Sequence, residues 1–214
     1  MKNAAMRGKR RYHHPDLKQA LLGHAVRLIE DEGLRGFSLR KLATRAGVSH
    51  AAPYRHFENK DQILVTLMLE GHKRLRRALV AASERCQGAA ADKYLAMGRA
   101  YLEFAQTNAD YLRVMFSAEA MAAAASRLAG QEVHGDEYDS FGVLEDMIRQ
   151  CQKEGVMPAG ADPGALSLLA WSEVHGLALL RGEGVLGRMS EARGGTEGRT
   201  LAAIFAILRA RLKR

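Results

Sequence analysis

Apolar side chains recur at steps of three and four residues along almost the whole chain, and nowhere do Val, Ile and Thr alternate with polar residues as on a half-buried strand. A chain patterned in this way can bury its apolar surface only by packing helix on helix, so the sequence specifies an all-α fold. Glycine, proline and capping residues divide it. Leu17, Leu21, Ala25, Leu28 and Ile29 make the inner stripe of a first helix, begun by Pro15 or Asp16 and ended by Gly33. Ser38 caps a short second helix through Leu39, Leu42, Ala43 and Ala46, which Gly47 stops; Ser49 caps a third, which Phe57 closes. Asn59, with Gln62 three residues on, has the form of a capping box at the head of a long helix along Ile63, Leu64, Leu67, Met68, Leu75 and Leu79. Beyond Gln87 and Gly88 the spacing predicts helices near 91–107, 109–117, 136–154, 163–186 and 197–213, about nine in all. The stretch 118–135 reads as a loop or a weakly held helix, and Gly194–Gly198 as a flexible connection. No repeat period occurs, so these helices form a bundle rather than a solenoid.

Charge is distributed unevenly over this pattern. The chain of 214 residues carries a net charge of +8. Residues 1–60 hold thirteen Lys and Arg against five Asp and Glu, the whole of that surplus, while residues 61–214 hold nineteen of each sign. A basic module joined to a neutral remainder is the footprint of a protein that binds a polyanion, although a solvated basic face would carry the same charge. The chain therefore divides into a basic module over 1–60, a connecting helix over 61–86 and a helical domain over 87–214.

Several classes of function are set aside by what the sequence lacks. Cys86 and Cys151 stand far apart with no metal-ligand spacing, so they read as reduced thiols and neither a disulfide framework nor a metal site is expected. The basic start MKNAAMRGKRRYHH has no apolar stretch behind it, and no run approaches the roughly 18–20 apolar residues of a membrane span. A cytoplasmic protein is expected. There is no Gly-x-Ser-x-Gly, no phosphate-cradling glycine loop and no His-Glu-x-x-His; Glu173 and His175 have no third ligand nearby. Neither an enzyme nor a cofactor is expected.

From Ser38 to Phe57 a capped helix, a glycine-containing turn and a second capped helix follow within about twenty residues, which is the layout of a helix-turn-helix. Gly47 permits the left-handed turn, Val48 can plug the angle between the helices, and Ala43 is small enough for close approach. In such a unit the second helix enters the major groove of duplex DNA. The stretch resembles the DNA-binding domain of the TetR family, whose recognition helix ends in Tyr-x-x-Phe followed by Lys. Tyr54-Arg55-His56-Phe57 and Lys60 stand at those places. In the helix near 163–186, Trp171, His175 and Gly176 are similar to the Trp-x-x-x-His-Gly signature of one C-terminal branch of the family.

The resemblance implies an operator-binding homodimer with a helical domain that senses a small-molecule effector, acting as a repressor. It places Ser49, His50, Ala51, Ala52 and Arg55 at the recognition helix facing DNA, with Arg55 able to offer a guanine two donors. Tyr54, His56 and Lys60 would reach phosphates, as would Ser38 and Arg40 at the head of the preceding helix. Arg7, Lys9, Arg10 and Arg11 form an arm suited to the minor groove, or a simple tail. Pro53 departs from the aliphatic residue usual at its place. It removes the first intrahelical bond and crowds the carbonyl of Ser49, so the helix is expected to bend or to begin late.

In the remainder, aromatic and methionine residues gather on the middle helices. Tyr101, Phe104, Met115, Phe116, Phe141, Met147, Trp171 and His175 are the candidate lining of an apolar effector pocket, with Tyr94, Met97 and Tyr111 nearby, although bundle cores are filled by the same residue types. Leu169, Leu177, Leu180, Ile204, Phe205 and Leu208 on the last two predicted helices are the candidate dimer interface, or an ordinary core. A DNA-packaging protein without an effector is the second functional reading.

Overall fold

The computed structural model describes residues 17–127 and 138–212. The basic arm at Arg7–Arg11 lies outside them. Among the described residues there is no strand, and ten α-helices follow one another. They are α1 (Leu17–Gly36), α2 (Leu39–Arg45), α3 (Lys60–Arg85), α4 (Ala90–Thr107), α5 (Ala109–Met115), α6 (Ala118–Arg127), α7 (Ser140–Lys153), α8 (Pro163–Gly182), α9 (Val185–Glu191) and α10 (Glu197–Arg211). The chain divides into two compact units, residues 1–63 and 64–214, with the boundary inside α3.

The first unit is a small core of α1, α2 and the start of α3. Leu21, Ala25, Ile29, Leu42, Ala43 and Ile63 are fully buried and Phe37 and Phe57 nearly so; each Leu, Ile or Phe side chain withdrawn from water contributes roughly 1.5–3 kcal/mol before entropy is counted. Helical dihedrals in α1 are interrupted at Gly33, where the apolar stripe ends. Ser38 caps α2 by accepting from the Lys41 amide. At its other end Gly47 takes φ +66°, the Val48 amide donates to the Ala43 carbonyl and the Gly47 amide to that of Thr44. This pair of bonds closes the helix with a left-handed residue that glycine adopts without strain. The head of α3 is fixed reciprocally: the Gln62 amide donates to Asn59 Oδ1, and Gln62 Oε1 accepts from the Glu58 amide.

The third predicted helix, Ser49 to Phe57, does not form over that span. Only a single 3₁₀ turn, Pro53–Arg55, is present. Pro53 has no N–H to give the Ser49 carbonyl, and the Ala52 amide takes that acceptor instead, at 2.9 Å. Short i→i+3 bonds follow, Arg55 to Ala52 and His56 to Pro53, before Phe57 returns to Pro53 with an α-type bond.

In the second unit α4, α7 and α8 pack on one another, with α10 against α4 and α9 bridging α8 and α10. The stretch from 118 is helical as far as Arg127, because Ala120, Ala123 and Ala124 line one face and are buried, the last two with Val65 of α3. The helix expected over 163–186 is two helices: α8 stops at Gly182, Gly184 takes φ +66°, and α9 starts at Val185. Asp139, Asp162 and Thr196 cap α7, α8 and α10 with side-chain oxygens.

Candidate nucleic-acid interface and ligand cavity

In the first unit, two charged pairs determine which bases face outward unopposed. Lys41 and Arg45 on α2 bind Glu32 and Asp31 near the end of α1. Arg40 and Arg55 are exposed and make no ion pair among the described residues. Tyr54 is 59% exposed, so its ring is not spent on the core. Ser49, His50 and Ala51 are also exposed, while Ser38, Ala52 and His56 are half-buried. Pro53 and Phe57, in contrast, are buried and anchor the segment from beneath. Lys60 reaches back to the carbonyl of Leu34 at 2.6 Å, closing the end of α1, and its ammonium keeps two further protons to donate. His50, Ala51, Tyr54 and Arg55 are thus presented to solvent by a segment held through two apolar pegs, Pro53 and Phe57.

The second unit contains a cavity of about 170 Å³ that is open to the surface on one side. Its walls come from α3 (His72, Leu75, Leu79), α4 (Tyr94, Leu95, Met97, Gly98, Tyr101), the end of α5 (Phe116), α7 (Ser140, Phe141, Leu144), α8 (Leu168, Ala170, Trp171, Glu173, Val174) and α10 (Phe205, Leu208). Leu168 and Phe141 are partly exposed and stand where the cavity meets the surface. An apolar space with a few polar groups on its wall is the ordinary form of a small-molecule site.

Of the pocket residues expected from sequence, Tyr101, Phe116, Phe141 and Trp171 line this cavity. Phe104, Met115 and Met147 do not; all are buried in the bundle core. His175 stands behind the wall. Its ring stacks on Trp171 at 5.0 Å and meets Phe116 edge-on at 4.8 Å, and its Nδ1 lies 2.7 Å from the Tyr101 hydroxyl. The directions of this chain follow from its ends. Indole can only donate, so Trp171 Nε1 gives its proton to the Tyr101 oxygen at 3.4 Å. Burial pushes the His175 pKa down, which leaves an unprotonated nitrogen to accept from Tyr101. Burial also raises the Tyr101 hydroxyl to about 12, keeping it neutral.

His72 was not foreseen as a cavity residue, because it sits in the long helix that the sequence reads as a connector. Its Nδ1 lies 3.0 Å from Ser140 Oγ, and burial lowers its pKa against the opposing pull of Asp139. Tyr94 is raised to about 12, mainly by burial and then by Glu173, which is itself paired with Arg211. Phe205 and Leu208, expected at a dimer interface, line the cavity from within, and Phe205 is only 2% exposed. Leu169 and Leu180 face outward, as do Leu179 and Ile207, whereas Leu177 and Ile204 are half-buried. Among the described residues no cluster of His, Cys, Asp or Glu could hold a metal ion, and no helix is long and apolar enough to cross a membrane.

Known proteins match both units. Residues 21–67 match the model for bacterial regulatory proteins of the tetR family, and residues 94–203, more than half of the chain, match the tetracyclin repressor-like C-terminal domain. A stretch of 50 residues is 40% identical to the class C tetracycline repressor protein of Escherichia coli, and the match spans 23% of each protein's length. A structure of a protein of unknown function from Rhodococcus sp. RHA1 covers 96% of this chain and all of its own, with 27% identity and a TM-score of 0.74. A bacterial regulatory protein in the tetR family from Rhodococcus RHA1 shares the fold at 22% identity and a TM-score of 0.63, over 91% of this chain and 95% of that one. With an amino-terminal unit that presents Tyr54 and Arg55 to solvent and a carboxy-terminal helical unit matched from residue 94 to 203, the chain belongs to the TetR family of DNA-binding transcriptional regulators.

Proposed function

We propose that this regulator binds a palindromic operator as a homodimer, represses transcription there, and is released by a small, mostly apolar effector. His50, Ala51, Ala52 and Arg55 read base edges. Ser38, Arg40, Ser49, Tyr54, His56 and Lys60 hold phosphates, and the arm at Arg7–Arg11 adds minor-groove contacts. The outward Leu169 and Leu180 of α8 and Ile207 of α10 support a two-fold interface built from those helices. Two modules then address half-sites one turn of DNA apart, roughly 34–36 Å.

The observation that carries the regulatory reading is that the cavity wall includes His72, Leu75 and Leu79 of α3, and α3 is one continuous helix from Lys60 to Arg85. An effector that favours a different setting of α3 acts on the same helix that begins beside the recognition segment, and differential affinity for the two settings becomes lowered operator affinity. The protein works in the cytoplasm, with DNA and no membrane partner.

Fluorescence anisotropy on duplexes tiled across the DNA flanking the protein's own gene tests this. A specific regulator prefers one palindromic duplex over random sequence by roughly a thousandfold or more at fixed salt. A DNA-packaging protein has no such preference, and a tight cavity ligand that leaves the preferred duplex bound contradicts the coupling.

A further inference from the structure

We infer that the cavity takes an uncharged molecule the size of one substituted aromatic ring, and that a hydroxyl on this molecule hydrogen-bonds to His72. The inference rests on the reading of the cavity as the effector site and goes on to the chemistry it selects.

Size comes first. A dry apolar cavity of roughly 150 Å³ holds benzene, so about 170 Å³ accommodates one ring and a small substituent. Phe116 and Trp171, with ring centres 5.2 Å apart, both line the cavity and give such a ring aromatic neighbours.

Charge is decided by the wall. It has no Lys or Arg, and its single carboxylate, Glu173, is already bound by Arg211 at 2.8 Å. His72 is held neutral by burial. A carboxylate entering this space would lose its hydration and gain no counter-charge, which costs far more than ring burial returns.

Polarity is decided by elimination among the wall's polar groups. Tyr101 and Trp171 are committed to one another and to His175. Tyr94 lies beside the Glu173–Arg211 pair, and burial together with the Glu173 charge holds the proton on its hydroxyl. His72 differs: Ser140 occupies Nδ1, and Nε2 has no hydrogen-bond partner among the described residues. Because Ser140 Oγ can accept from Nδ1 or donate to it, Nε2 can take either role, which suits a hydroxyl that both gives and accepts.

Trp171 is the only tryptophan in the chain and lies in the wall, so its fluorescence reports occupancy without DNA. The probes are 4-methylphenol, toluene and 4-methylbenzoate at neutral pH, with wild type, His72→Phe and His72→Gln. We expect 4-methylphenol to quench saturably, toluene to bind roughly tenfold more weakly for want of the hydrogen bond, and 4-methylbenzoate more weakly still by a factor on the order of a hundred. In His72→Phe the advantage of the phenol over toluene disappears; in His72→Gln, whose amide also gives and accepts, most of it returns. Benzoate binding as tight as the phenol's, an unchanged phenol-to-toluene ratio in His72→Phe, or no saturable signal from either neutral probe overturns the inference. DNA binding measured on the same samples separates the two readings. A phenol that quenches Trp171 yet leaves the duplex bound keeps the chemical class and defeats the effector role, while release by the carboxylate does the reverse.

Discussion

Arg55 and Lys41 have the same formal charge and opposite situations. Arg55 is exposed and makes no ion pair among the described residues, while Lys41 is bound to Glu32. Arg55→Ala should weaken the preferred duplex roughly tenfold to a hundredfold, the value of a bidentate base contact, and Lys41→Ala should change it by less than about threefold, as expected of an exposed ion pair. Anisotropy titrations at one salt concentration compare them. His72 and His175 yield a second expectation. Burial depresses both folded-state pKa values below the ordinary 6.5, so the unfolded chain binds more protons. Their contribution is present above pH 6.5 and is lost as pH falls through the folded values. Thermal melts should therefore show a lower Tm at pH 5.5 than at 7.5, with the difference reduced in His72→Gln and His175→Gln; equal slopes in all three proteins would contradict the assignment.

At the scale of elements, α3 and α5 approach one another through a missing side chain. A Cβ built on Gly71 would lie 2.5 Å from Met115 Sδ and 2.6 Å from its Cγ, and Met115 is only 1% exposed, so it has little room to retreat. Gly71→Ala should cost about 1–3 kcal/mol by overpacking, read as a lowered urea midpoint with an unchanged slope. Periodic helices such as α2, α4, α7 and α10 are legible because the apolar stripe, and in all but α4 the side-chain cap, are local properties of the chain. The segment after Ser49 was not, since one proline turned a plausible helix into a 3₁₀ turn; its effect was foreseen, its extent was not. Nor was the break between α8 and α9, where two glycines flank Glu183 inside an otherwise continuous apolar pattern.

For the molecule as a whole, spacing told which faces are apolar and left open what covers them. Phe205 and Ile207 lie two residues apart on α10; one is buried against the cavity and Arg99, the other is 60% exposed. A helical stripe cannot distinguish an inner neighbour from a second copy of the chain, and the aromatic residues of the cavity were legible only as a group for the same reason. The double variant Leu180→Glu, Ile207→Glu should convert a dimer to a monomer by light scattering after size exclusion, and reduce operator binding to that of a single half-site. A dimer of unaltered mass would place the interface elsewhere.

The pairs that join α2 to the end of α1, Lys41 with Glu32 and Arg45 with Asp31, have a consequence for ionic strength. Each phosphate neutralised by a protein cation releases condensed counterions and steepens the fall of log affinity with log salt by about 0.9. Cations already answered by their own carboxylates displace few of these ions. Asp31→Asn with Glu32→Gln should therefore give a steeper salt slope and tighter binding to random duplex, with little gain on the operator. In this view the two acids act as a brake on indiscriminate adhesion, and part of the protein's selectivity resides in residues that never meet DNA.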